Sequence, residues 1–190
     1  MKIAGLQKLS LIDYPGVPAA VIFTQGCNMT CPYCHNPQLV YPDLFETTIS
    51  DEDIFSFLKK RQKLLKGVVI TGGEPTLQKD LIEFIKKIKN LKFSIKLDTN
   101  GAVPRVLKDL IDKNLLDFIA MDIKSPQAKY NLFFKGDLEM IKQSINIIQS
   151  SGIDHIFRTT YDTSILSESD LKSIKTLATT STHIVQQCRK

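Results

Sequence analysis

The chain has 190 residues, 43% of them hydrophobic and 24% charged, an ordinary composition for a folded domain and enough length for a substantial core. Its 25 Lys and Arg against 20 Asp and Glu leave a net charge of +5, too mild to imply a polyanionic partner. No apolar run approaches the ~20 residues that span a bilayer, and Met1-Lys2-Ile3-Ala4-Gly5-Leu6-Gln7-Lys8 lacks the apolar core of a secretory signal, so a cytoplasmic protein is expected.

The first clear element is the apolar run 19–24, suited to a buried strand. Directly after it come three cysteines in the run Gly26-Cys27-Asn28-Met29-Thr30-Cys31-Pro32-Tyr33-Cys34-His35-Asn36. Thiolates are soft ligands that select zinc or iron–sulfur clusters. A [4Fe–4S] cube normally takes four Cys, so three leave one iron open to a second molecule. Structural zinc would need a fourth ligand, either His35 or Cys188. His35 follows Cys34 directly, closer than usual ligand spacing. A disulfide framework does not suit so few cysteines without a secretory context. Both the open-iron cluster and the zinc site stay in play on spacing alone.

Ser50 with Asp53 three residues on reads as a capping box. It opens a helix carrying Ile54, Phe57, Leu58 and Leu65. Residues 68–71 form a second apolar strand, stopped by Gly72-Gly73. A helix with Leu81, Ile85 and Ile88 on one face follows, then a strand at 93–97. Pro104 suits the first turn of a helix bearing Leu107, Leu110 and Ile111. Residues 118–121 give a fourth strand. The next helix carries Leu138, Ile141, Ile145 and Ile148, with Gly152 placed to end it. A fifth strand at 153–160, a helix capped by Ser167 and Asp170, and a sixth strand at 183–187 complete the chain. The runs Lys59-Lys60-Arg61 and Lys86-Lys87 fall toward helix C-termini, where they complement the dipole and face water. They do not form a nucleic-acid stripe.

Strands alternating with helices imply parallel pairing through right-handed crossovers. Six units are too few for a closed eight-stranded barrel, and a doubly wound open sheet competes with an open partial barrel. In barrels of this class the chemistry lies at the C-terminal strand ends. Here successive strand ends carry the cysteine loop, Gly72-Gly73-Glu74-Pro75, Asp98-Thr99-Asn100-Gly101, Asp122-Ile123-Lys124 and Arg158-Thr159-Thr160. Any one has a structural explanation. Five on one rim, one of them carrying three Cys, point to a site.

The Cys-x3-Cys-x2-Cys spacing with Tyr33 just before the third Cys resembles the radical S-adenosylmethionine (SAM) superfamily. The longer string Ile12-Asp13-Tyr14-Pro15-Gly16, Phe23-Thr24-Gln25-Gly26-Cys27 and Cys34-His35-Asn36-Pro37 is similar to the glycyl-radical-enzyme activating enzymes, particularly the activators of anaerobic ribonucleotide reductase. The resemblance implies a partial, open (β/α)6 barrel and a single radical SAM domain over 1–190. It implies that Cys27, Cys31 and Cys34 hold one [4Fe–4S] cluster whose open iron chelates SAM. No Cys lies in 37–50, so a second cluster is not expected. Cys188 reads as a packed or surface thiol, not a ligand.

By the same resemblance Tyr33 lies against the adenine. Gly72, Gly73 and Glu74 match the family's Gly-Gly-Glu motif, which contacts the SAM amine. Asn100, Lys124, Arg158, Asp98 and Asp122 are candidates for its carboxylate and ribose, and the two Asp residues for a monovalent cation beside the sulfonium. The activity implied is reductive cleavage of SAM to a 5′-deoxyadenosyl radical, with flavodoxin or ferredoxin as electron donor. That radical takes a hydrogen from a glycine of a partner glycyl radical enzyme, in an anaerobic cell. The open side of a partial barrel admits a protein loop, and SAM contacts at five of six strand ends leave few polar residues for a small substrate. The alternatives are a small-molecule radical SAM enzyme such as a 7-carboxy-7-deazaguanine synthase, and a non-enzymatic zinc or electron-transfer module.

Overall fold

A computed structural model describes residues 1–179 and 181–188. All six expected strands are present: β2 (Ala19–Thr24), β3 (Gly67–Gly72), β4 (Ser94–Thr99), β5 (Phe118–Asp122), β6 (Asp154–Tyr161) and β7 (Thr182–Gln187). A strand that the sequence reading did not anticipate, β1 (Ile3–Ser10), precedes them. It pairs antiparallel to β2, whereas β2 through β7 pair in parallel and in chain order. Its weak signature has a physical cause. As an edge strand it buries only Ile3 and Ser10 fully, so no clean apolar alternation marks it. β1 and β7 stand at opposite ends of the strand order, which leaves an open, mostly parallel sheet of partial-barrel type.

Five helices make the crossovers: α1 (Asp51–Arg61), α2 (Leu81–Asn90), α3 (Pro104–Asp112), α4 (Leu138–Ser150) and α5 (Glu168–Leu177). Pro104 takes the first turn of α3, and Gly152 adopts φ +73° just past α4, both as their chemistry dictates. Ser167 and Asp170 form a reciprocal capping box on α5. At α1 only half of that arrangement forms. Ser50 accepts from the Asp53 N–H at 3.1 Å, but its hydroxyl, not its backbone, meets the Asp53 carboxylate. The helix also stops at Arg61, so Leu65 is buried from the connecting loop and not from the helical stripe.

The helices cover one face of the sheet. There Ile22, Ile70, Leu97 and Met121 from the strands pack against residues such as Ile54, Ile85, Leu107 and Ile145. The opposite, inner face is apolar only near the strand beginnings, where Tyr14 packs with Ala19, Val21 and Val69, and against Phe118. Farther along the same inner face, strand alternation presents Thr71, Lys96, Asp98, Asp122 and Arg158. The fold thus closes one end with an aromatic plug and concentrates charge at the other.

Candidate active site

The cysteine loop is fixed from several directions. Gly26, at φ +99°, donates its N–H to Leu39 at 2.7 Å and accepts from the Glu74 N–H at 2.8 Å. Thr30 donates to the Phe133 carbonyl at 3.0 Å. Asn100 reaches across from the end of β4 to donate to the Asn28 side chain at 2.9 Å. The loop leaves Cys27, Cys31 and Cys34 half-buried around a cavity of about 110 Å³. The same cavity is lined by Gly72, Gly73, Glu74, Asp98, Asn100, Asp122, Lys124 and Arg158. Burial pushes the Cys27 thiol up to about 11, and Cys31 rises for the same reason. A metal bound there must therefore displace protons.

The Gly72-Gly73-Glu74 turn is stitched beneath this loop. Gly72 sits at φ +110°, and a Cβ on it would fall 2.4 Å from the Thr24 nitrogen. A Cβ on Gly73 would fall 2.2 Å from the Gly26 carbonyl oxygen. Only glycine lets the two backbones approach so closely. Glu74 is wholly buried. Its Oε1 accepts from the Thr76 N–H at 3.0 Å, the Thr76 hydroxyl at 2.5 Å and the Thr99 hydroxyl at 2.7 Å, while Oε2 accepts from the Asn100 N–H at 2.7 Å. Burial outweighs those four donors and raises its pKa. The carboxylate ties the ends of β3 and β4 together.

The remaining charges form an alternating ladder. Lys96 pairs with Asp98 Oδ1. Asp98 Oδ2 accepts from the Thr71 hydroxyl at 3.2 Å and Arg158 Nη1 at 3.3 Å. Arg158 Nε donates to Asp122 Oδ1 at 2.8 Å, and Lys124 Nζ donates to Asp122 Oδ2 at 2.9 Å. Burial opposes ionisation of Asp122, but Lys124 and Arg158 prevail and hold it at about 2. Burial lowers Lys124 and Arg158, but both end up raised: Asp122, with Cys31 and Tyr33, prevails at Lys124, and Asp122 with Asp98 prevails at Arg158.

Tyr33 lies outside this cavity's lining. Its ring is tilted on Phe133 at 5.6 Å between centroids, and its hydroxyl is buried without a hydrogen-bond partner. A second cavity, of about 820 Å³, shares Thr71, Asp98, Asp122 and Arg158 with the first. Its other walls are Asp13, His35, Asn36, Thr160, Gln186, Gln187 and Cys188. This corrects the expectation that few polar groups remain beyond the SAM contacts, because the end of β7 and the segment after β1 supply several.

Eleven of the twelve candidate residues thus share one cavity. Sequence reasoning missed Thr71, Thr76, Thr99 and Lys96. The signal for Lys96 lay in β4, where Ser94-Ile95-Lys96-Leu97-Asp98 alternates and puts Lys96 on the face of Asp98. The three threonines carried none, since threonine is common in strands. Among the described residues no three His, Cys, Asp or Glu side chains are grouped to hold one metal ion. The three soft thiols around a shared cavity and the glycine-built backbone beside them suit a thiolate-bound cluster and an adjacent polar ligand. No helix among the described residues is long and apolar enough to cross a membrane.

The sequence profile of the radical SAM superfamily matches residues 21–177. A Methanocaldococcus jannaschii protein, named provisionally as a glycyl-radical enzyme activating enzyme, is 39% identical over 97% of this chain and 79% of its own length. A probable GTP 3′,8-cyclase of Pyrococcus horikoshii is 32% identical over 63% of this chain and 39% of that protein. The pyruvate formate-lyase-activating enzyme of Listeria monocytogenes is 29% identical over 74% of this chain and 60% of that protein. The chain therefore spans less than two thirds of the last two. The fold matches SuiB of Streptococcus suis bound to S-adenosylmethionine, with a TM-score of 0.71 at 15% identity over 90% of this chain and 40% of that one.

Proposed function

From the premise that this chain belongs to the radical SAM superfamily, which implies a [4Fe–4S] cluster and SAM, we propose that it activates a glycyl radical enzyme. The observation that carries this reading is the common wall of the two cavities. The thiol-lined cavity shares Thr71, Asp98, Asp122 and Arg158 with a space of about 820 Å³ that is also walled by Asp13, after β1, and by Gln186 and Gln187 of the edge strand β7. A polypeptide loop fits such an opening better than a closed pocket would allow. The relative that is 39% identical over nearly the whole chain points the same way.

When bound and reduced, the cluster and SAM supply a one-electron cleavage that yields an oxidant able to take a hydrogen atom from a glycine Cα. The chain's own residues bind and orient. Cys27, Cys31 and Cys34 hold the cluster. The backbone of Gly72 and Gly73 would meet the SAM amine, with Glu74 bracing that turn from below. Asn100, Lys124 and Arg158 would hold the carboxylate and ribose, with Asp98 and Asp122 fixing the two cations, while Tyr33, outside the cavity's lining, is assigned to the adenine by the resemblance alone. We take residues 1–190 as one domain in an anaerobic cytoplasm. The electron donor is flavodoxin or ferredoxin, and the partner is a glycyl radical enzyme, anaerobic ribonucleotide reductase first among them.

Anaerobic incubation of the reconstituted protein with SAM, a reductant and that partner tests the reading. A doublet radical signal on the partner, abolished when its glycine is changed to Ala, is the expected result. Absence of the signal with every glycyl radical enzyme of the source organism would sink it. A small-molecule reading, as in a GTP 3′,8-cyclase or a 7-carboxy-7-deazaguanine synthase, draws support from the polar walls of the larger cavity. Partner-independent consumption of a small substrate would favour it.

A further inference from the structure

The resemblance in sequence implies a monovalent cation beside Asp98 and Asp122, and the residues do not fit one. Every carboxylate oxygen of the pair already has a cationic or hydroxyl donor from the chain. Asp98 Oδ1 meets Lys96, and Asp98 Oδ2 meets Thr71 and Arg158. Asp122 Oδ1 meets Arg158 Nε at 2.8 Å, and Asp122 Oδ2 meets Lys124 Nζ at 2.9 Å. Two carboxylates therefore face three fixed cations. An added alkali ion would need several free oxygen ligands and would stand among three like charges.

Lys96 is the unusual member. It is only 2% exposed, on the inner face of a central strand, where a charged side chain survives only if paired. It stands two residues before Asp98, so the pleat of β4 delivers its ammonium to the same face as that carboxylate. An ammonium is a compact point charge of the same sign and valence as an alkali ion. Tethered to the chain, it is in place before any ligand arrives.

We infer that Lys96 is a built-in replacement for the alkali cation: its ammonium is the counterion of Asp98, and SAM binding by this protein does not depend on Na⁺ or K⁺. The inference rests on the reading of the cavity as a SAM site. It predicts the reverse for a chain without the ammonium, where the same carboxylate would recruit a free ion.

The test compares reconstituted holoprotein in choline chloride, NaCl and KCl at one ionic strength, measuring SAM affinity and melting temperature. For the unaltered protein the affinity should change less than about twofold among the salts, and Lys96→Met should bind about tenfold more weakly in choline and recover saturably with K⁺ or Na⁺. Its melting temperature should rise over the same range of alkali ion. Saturable alkali dependence of the unaltered protein would overturn the inference, as would a folded Lys96→Met that ignores alkali ions. If Lys96→Met does not fold, Lys96→Gln takes its place and ²³Na relaxation of the unaltered protein is decisive. Excess broadening that K⁺ displaces refutes the inference, and its absence supports it. Failure to bind SAM in any salt would refute the SAM reading instead, with the melting and sodium measurements still deciding the cation question.

Discussion

The backbone N–H of Asn100 donates to Oε2 of Glu74 at 2.7 Å, fixing a residue just past β4 to one just past β3. Both residues line the thiol cavity. Glu74 thus acts as a brace on which the Gly72-Gly73 turn and the cysteine loop rest, through the 2.8 Å bond from its own N–H to Gly26.

Replacing that brace should cost stability before it costs chemistry. Glu74→Ala strands the buried Thr76 and Asn100 N–H groups and the Thr99 hydroxyl, and unmet buried donors cost about 1–3 kcal/mol each. Removing a buried charge offsets part of that, so the net loss should be about 2–4 kcal/mol. Chemical denaturation of the metal-free protein measures it. A loss of SAM affinity with unchanged stability would instead place the carboxylate on the ligand.

Gly73→Ala should act on the metal site. A Cβ 2.2 Å from the Gly26 carbonyl must push the start of the cysteine loop aside. Iron bound after anaerobic reconstitution should fall by more than about half, because displaced ligands lower metal affinity. Helical content should stay constant by circular dichroism. Full iron loading would mean that the loop tolerates the shift.

Each of Cys27→Ala, Cys31→Ala and Cys34→Ala should abolish a cluster of about four irons, whereas Cys188→Ala should leave it intact. Cys188 lines the larger cavity but not the one that Cys27, Cys31 and Cys34 share. Iron and sulfide analysis of the four variants decides the matter. Metal loss in Cys188→Ala would argue for a closed four-ligand site.

Acid should weaken the charge ladder in a defined window. Folded Asp122 stays ionised down to about 2, against an ordinary 3.8, because Lys124 and Arg158 overcome the effect of burial. The unfolded chain therefore takes up this proton first as pH falls. The stabilisation is complete above pH 3.8 and disappears as pH drops to about 2. Its size is on the order of 2 kcal/mol. Unfolding free energies of the metal-free protein across that range should show the slope, and Asp122→Asn should flatten it. An equally steep slope in Asp122→Asn would assign the effect to other carboxylates.

The sequence by itself determined the parts whose signals are local. Three thiols in one loop, glycines at a strand end and polar tails on short apolar runs depend on neighbours in the chain, and all six anticipated strands came from such runs. β1 did not, because an edge strand buries too little to impose a pattern. The tertiary structure alone decided how the polar groups divide among themselves. Glu74 turned inward because Thr76, Thr99 and Asn100 close over it from the turn after β3 and the end of β4. Lys96, one lysine among 25 basic residues, meets Asp98 through the pleat of their own strand, but that carboxylate gained its second cation only when parallel pairing brought Arg158 into reach. Charge pairing across strands depends on which side chains the sheet brings within a few ångströms, and residues 60 positions apart, such as Asp98 and Arg158, carry no mark of that proximity in the linear chain.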